Sequence, residues 1–212
     1  MRKLTGWVFA LAVLTATAVT VQADEKDKLV PEDGAVEVML LRQRSVREDM
    51  KLSHDEAAKI DKHSAQQWKK AREINKLPDA ERDKKFDELT KENDHFIDQT
   101  ITKDQRKRLR EIEMQVAGLM VVTRPVLAKK LNLTEEQIKR AHEMQKLGRQ
   151  EMHDFIHASK PEKSDKLDHL RKTSSDRLVE LLTDEQEKTW TKLAGAPFKG
   201  ELEFNYKEVA DK

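Results

Sequence analysis

The sequence predicts an all-α protein of long antiparallel helical hairpins, arranged as two similar halves with an extended C-terminal tail. Three observations predict it. Apolar residues recur at intervals of three and four over most of the chain, the period of a helix with one buried face. One helix-start pattern occurs four times: an apolar residue, then Ser or Thr, then Glu or Gln three residues further on. Gly (6) and Pro (5) are few among 212 residues, so breaks are rare and can be located.

The N-terminus carries the clearest targeting signal. Arg2 and Lys3 precede an apolar or small run from Leu4 to Val21, most hydrophobic between Trp7 and Leu14. Val21-Gln22-Ala23 then offers small side chains before Asp24. Residues 1–23 therefore read as a secretory signal peptide cleaved near Ala23, which sends the chain to the periplasm or outside the cell. An uncleaved anchor is the competing reading. Four threonines and Gly6 interrupt the run, which is short beside the ~20 residues of a span. Residues 24–34 are charged, hold Pro31 and Gly34, and read as a flexible leader.

The first half covers 35–118. Val36, Met39, Leu40, Val46 and Met50 predict a helix over 35–51. In Leu52-Ser53-His54-Asp55-Glu56, Ser53 can accept from a backbone N–H while Glu56 reaches back, and Asp55 suits the positive end of the helix dipole. The helix it starts carries Ile60, Ser64, Trp68, Ala71 and Ile74 on one side and stops at Leu77-Pro78. Asp79 is the expected cap of a return helix striped with Phe86, Leu89, Phe96, Ile97 and Thr100. A connection this short makes the two pack antiparallel. Ile101-Thr102-Lys103-Asp104-Gln105 starts a closing helix.

The second half covers 119–197. Pro125 suits a first helical turn. Leu133-Thr134-Glu135-Glu136-Gln137 starts a helix with Ile138, Ala141, Met144, Met152 and Phe155, and Ala158-Ser159-Lys160-Pro161 breaks it. A return helix with Leu167, Leu170, Leu178 and Leu181 follows, and Leu182-Thr183-Asp184-Glu185-Gln186 opens a last helix that Gly195-Ala196-Pro197 ends. The caps at 53, 102, 134 and 183 are spaced 49, 32 and 49, so an offset of 81 maps the first half onto the second. That spacing reads as an internal duplication. Leu202, Phe204 and Tyr206 alternate in the tail, 198–212, as an extended segment would require.

Function classes narrow as follows. The formal charge is +1, and loss of Arg2 and Lys3 leaves it slightly negative, so nothing general points to nucleic acid. Without Cys there is no disulfide, thiolate zinc site, cysteine nucleophile or lipoprotein anchor. There is no GxSxG, phosphate-cradling glycine loop or HExxH, so the chain reads as a non-enzyme with no cofactor. Arg106-Lys107-Arg108 with Arg110, followed by Glu111 and Glu113, reads as a solvated helix face. His153 and His157, four apart on one helix, are the candidate metal ligands, with Asp154 or His169 as completing groups; a site needs three or four.

The four caps resemble the LTxxQ motif of the Spy and CpxP family of exported helical proteins of the bacterial envelope. Leu133 to Gln137 and Leu182 to Gln186 match it fully, Ile101 stands for Leu in the second motif, and Ser53 and Glu56 stand for Thr and Gln in the first. The resemblance implies antiparallel, cradle-shaped helical dimers that hold unfolded clients without ATP; some relatives bind metals or damp an envelope-stress sensor. This chain has four motifs where a typical member has two, so its halves could stand for the family's two subunits. The ending Lys192 to Leu202 is also similar to a recurrent group of exported bacterial helical proteins without an assigned role. The expected partner is therefore protein: unfolded clients, or alternatively one fixed envelope partner, with a homodimer as the implied assembly and no membrane insertion after signal removal. Trp68, Met144, Met152 and Phe155 are the candidate client contacts, since Met and aromatic side chains suit an adaptable apolar surface.

Overall fold

The computed structural model describes residues 33–156 and 164–202. The signal segment 1–23, most of the leader, the break at Ala158-Ser159-Lys160-Pro161 and the tail from 203 onward lie outside the described residues. Those described form helices and no strand: α1 (Asp33–Leu41), α2 (Arg44–Asp49), α3 (His54–Ile74), α4 (Asp79–Thr100), α5 (Lys103–Val121), α6 (Pro125–Leu131), α7 (Glu135–Ile156), α8 (Ser164–Leu181) and α9 (Asp184–Ala194). None is long and apolar enough to cross a membrane.

The single helix expected over 35–51 is two. Gln43 is extended (φ −75, ψ 127), and the Arg47 Nε donates to the Leu41 carbonyl at 2.6 Å, taking over a bond the broken helix gave up. The turn lets Val46 and Met50 enter the same core as Leu40 and Leu41. It also sets the face of α1: Glu37 is buried, while Met39 is 44% exposed. A second shift is at Asp79, the first helical residue of α4 where a cap was expected. Pro78, held extended, is the N-cap, and its carbonyl accepts from Glu81 and Arg82.

α2 and α6 end in the same way. Lys51 (φ 53) and Asn132 (φ 51) are left-handed. In each case the next residue's N–H reaches back five positions, Leu52 to Arg47 at 3.0 Å and Leu133 to Ala128 at 3.0 Å. This is the Schellman closure, which satisfies late carbonyls and places an apolar residue just past the end. That residue is the first Leu of a cap motif.

α3 and α4 run in opposite directions. As α3 advances from His63 to Lys70, its partners on α4 step back from Phe96 and Asn93 to Glu92. Buried Ile60, Ser64, Gln67 and Ile74 form the inner stripe of α3, and Trp68 lies off it at 39% exposed. α7 and α8 pack similarly, from Arg140 against Glu180 to Glu151 against Arg177. α5 is central and packs on α1, α4, α7, α8 and α9. Its Leu109 and Ile112 belong to a first core with Leu40, Leu41, Val46 and Ile60. Its Met114, Leu119 and Val121 belong to a second core with Leu178, Leu181 and Trp190. Non-helical angles at Ala117 (φ −115, ψ 21) kink it between the two. After α9 the chain returns to the first core. The Phe198 N–H donates to Gln115 at 2.7 Å, Ser45 donates to the Glu201 carbonyl at 2.5 Å, and Phe198 and Leu202 pack on that core.

Candidate functional site

All four cap motifs close reciprocally. The hydroxyl of Ser53, Thr102, Thr134 or Thr183 accepts from the backbone N–H three residues on, at 3.1–3.3 Å. The side chain of Glu56, Gln105, Gln137 or Gln186 accepts from the cap's own N–H at 2.7–3.0 Å. Each box thus satisfies two orphan donors of a helix start.

The two boxes of the second half are also joined to each other. Gln137 Nε2 donates to Gln186 Oε1 at 2.7 Å, and Gln186 Nε2 donates back to Gln137 Oε1 at 3.0 Å. The remaining N–H of Gln137 reaches the Leu181 carbonyl at 2.8 Å, and that of Gln186 the Asn132 carbonyl at 3.3 Å. Both amides therefore use their two donors and both oxygen lone pairs. The arrangement ties the starts of α7 and α9 to each other and to the ends of α8 and α6. In the first half the Ser53 N–H holds the Glu56 carboxyl below its ordinary range, and the nearby Gln105 side chain adds a smaller lowering influence. A generic capping box accepts Glu or Gln equally. A paired box needs at least one amide, because two carboxylates have no proton to share.

The basic cluster on α5 is only in part a solvated face: Lys107 and Arg110 are exposed, whereas Arg106 and Arg108 turn inward. Arg106 is 8% exposed, lies 2.5 Å from Glu37, and also meets Asp94 at 3.0 Å and Asp98 at 3.3 Å. Arg108 is held between Asp49, at 2.6 Å, and Glu111, and it donates to the Ala196 carbonyl. Helical spacing explains this: Arg106 lies on the turn before Leu109 and Ile112 and shares their face. Glu113, also buried, takes both nitrogens of Arg124 at 2.6 and 2.9 Å. Burial pushes Glu37 up to about 8, and the neighbouring Glu113 adds to the rise while Arg106 opposes it. Sequence reading missed Glu37, Arg106, Glu113 and Arg124. The available signal was Glu37, the one acid within the apolar run Ala35 to Leu41.

Glu37, Asp94, Asp98, Arg106, Glu113 and Arg124 line a cleft of about 840 Å³ where α5 faces α4 and α6, with Leu193 of α9 beside it. Met114, Val126 and Leu193 supply apolar lining, and Lys107, Arg110 and Lys130 stand at its rim.

The other candidates fall in separate places. Trp68 is on α3 and exposed, whereas Met144 is half-buried on α7 against the second core. The backbone of Met152, His153 and Phe155 belongs to α7, but their side chains lie outside those described, as does His157 entirely. His169 is exposed on α8. Among the described residues no three His, Asp or Glu converge as a metal site. Comparison with known proteins finds no matching family model, no matching curated protein and no matching solved structure.

Proposed function

We propose that this chain is a Spy-like exported protein that holds client polypeptides without a nucleotide cofactor. The observation that carries the reading is the pairing of the second-half cap motifs, Gln137 with Gln186, with Gln105 near Glu56 at the corresponding place in the first half. Pairing gives the motif's Gln a tertiary role that a generic cap does not require, so the likeness to LTxxQ is more than a likeness of helix starts. The same reading takes the chain as two copies of one hairpin unit 81 residues apart. Its support is that left-handed Lys51 and Asn132 stand 81 apart, as do Glu56 and Gln137, and Gln105 and Gln186. Two fused units would give one chain the surfaces that the family's two subunits supply.

Client contact would use apolar side chains left outside the cores. Among the described residues these include Trp68 on α3, Val126 on α6, Leu147 on α7 and Val179 on α8, between 39% and 66% exposed. They are scattered among charges, a distribution that favours many weak contacts with a changing partner and keeps the empty protein soluble. Export follows from residues 1–23 in this reading. The test is light scattering of a reduced, unfolding client with and without the purified protein. Stoichiometric protein should suppress aggregation with no ATP present; undiminished scattering at several-fold excess would refute the proposal.

A further inference from the structure

We infer that the cleft between α4, α5 and α6 is a docking site for extended polypeptide segments in which apolar residues alternate with Asp or Glu. The inference rests on the client-binding reading and adds to the exposed apolar positions one cleft and the chemistry it takes.

The charge at the mouth differs from the charge in the wall. The acids of the wall are already engaged: Glu113 by both nitrogens of Arg124, Asp94 by Arg106, and half-buried Glu111 by Arg108 at 3.1 Å, with Lys107 3.9 Å away. Glu37 lies against Arg106, with Arg110 3.9 Å away on its other oxygen, and burial favours its neutral form. The exposed cations of the lining are Lys103, Lys107, Arg110 and Lys130, against a single exposed acid, Asp98. The chain as a whole carries only +1, so this excess is local and not a general basicity. A cationic mouth over low-dielectric walls attracts anionic groups over several ångströms and rejects cationic ones.

The lining also has an apolar part that an anion alone would not need. Val126 is 66% exposed, the most exposed large apolar side chain among the described residues. Ile101, Met114, Leu127 and Leu193 line the cleft with it. An apolar side chain entering there removes Val126 from water, while carboxylates on the alternate positions reach the lysines. An extended strand offers this alternation, because successive side chains point to opposite sides. A free phosphate would leave the apolar part unused, and a flat lipid surface cannot enter a concave cleft.

Fluorescence anisotropy of the purified protein with three labelled peptides tests the inference: one alternating Leu and Glu, one with Lys for Glu, and one with Gln for Glu. At low salt the Glu peptide should bind at least about tenfold more tightly than the Lys peptide, and added salt should narrow the gap. Lys107→Glu with Lys130→Glu, both exposed, should abolish or invert the preference yet leave the Gln peptide within about twofold. Val126→Asp should weaken the Glu and Gln peptides together. Equal binding of the Glu and Lys peptides, or an unchanged preference in the doubly substituted protein, overturns the inference. So does displacement of the Glu peptide by a single-stranded oligonucleotide at lower concentration than by unlabelled peptide. If wild type suppresses client aggregation but shows no charge preference, the cleft assignment fails and client holding stands. If neither suppression nor peptide binding occurs, both fail.

Discussion

The paired amides of Gln137 and Gln186 make a prediction that a simple capping role does not. Besides a long 3.4 Å contact from the Thr134 hydroxyl, Gln137→Ala removes four shorter bonds: the back-bond from Thr134 N, the bond to the Leu181 carbonyl, and the two bonds exchanged with Gln186. Each contributes about 0.5–1.5 kcal/mol net, and the site is only part-buried, so a loss of about 2–4 kcal/mol is expected. Gln186→Ala removes the matching set and should cost about as much. Two bonds are common to both losses. The double substitution should therefore cost about 1–2 kcal/mol less than the sum of the singles. In a chain of this size each kcal/mol moves the melting temperature by roughly 2–4 °C. Circular dichroism melts and urea titrations of the four proteins give the coupling directly. If the singles add to within about 0.3 kcal/mol, the glutamines act as independent caps and the pairing argument fails.

Further outcomes follow from the same structure. Glu56 has a folded-state pKa below its unfolded value, so its stabilisation is complete above about pH 4.5 and is lost as pH falls through the folded value. Glu56→Gln keeps an acceptor for the Ser53 N–H and should flatten that acid limb in melts taken between about pH 3 and pH 6. Glu37 has the opposite sign: raised to about 8, it holds a proton in the folded state that the unfolded chain has released. Its contribution is complete below about pH 4.5 and declines as pH rises through about 8, so Glu37→Gln should gain on wild type between about pH 5 and pH 9. A gap that narrows over that range would contradict the assignment. Gly195 (φ 69, ψ −152) lies where other residues are strained, and a Cβ there meets the Glu111 side chain, so Gly195→Ala should cost about 2–3 kcal/mol in denaturant melts. Gly148, inside α7 with its nearest neighbour 3.9 Å from an added Cβ, should by contrast gain about 0.5–1 kcal/mol as Ala.

What could be read from the sequence follows the range of the forces involved. All-α architecture is a sum of local periodicities, and capping boxes are settled within five residues, so Thr102 to Gln105 and Thr183 to Gln186 announce their helices unaided. The break at Gln43 has no Gly or Pro to mark it. It arises because Val46 and Met50 reach the first core only if the chain turns, and Arg47 satisfies the carbonyl this leaves. At Pro78 and Asp79 the expectation was one residue off, because proline's own extended geometry made it the cap.

The charged groups show the same division more sharply. Arg106 and Arg108 stand in a run that looks solvated, and only tertiary packing brings Glu37 and Asp49 to them, more than fifty residues away in the chain. Gln145, fully buried, is similar: its Nε2 donates to the Leu119 carbonyl at 2.8 Å and to Thr123 at 3.0 Å. Nothing local distinguishes it from the exposed Gln150 on the same helix. Met39 was expected on the inner stripe of its helix and is exposed, because Val38, Leu40 and Leu41 take the buried face of α1. Pairing of the cap glutamines was also illegible, since each motif is complete on its own and the 49-residue spacing within each half says nothing of contact.

The most direct measurement of client holding is site-specific photocrosslinking from the exposed apolar positions Trp68, Leu147 and Val179 to a protein presented once unfolded and once folded. The account predicts crosslinks from these positions to the unfolded form and few to the folded form, with Lys192 on α9 as an exposed polar control that yields neither. Equal crosslinking to both forms, or none from any of the three, would contradict it.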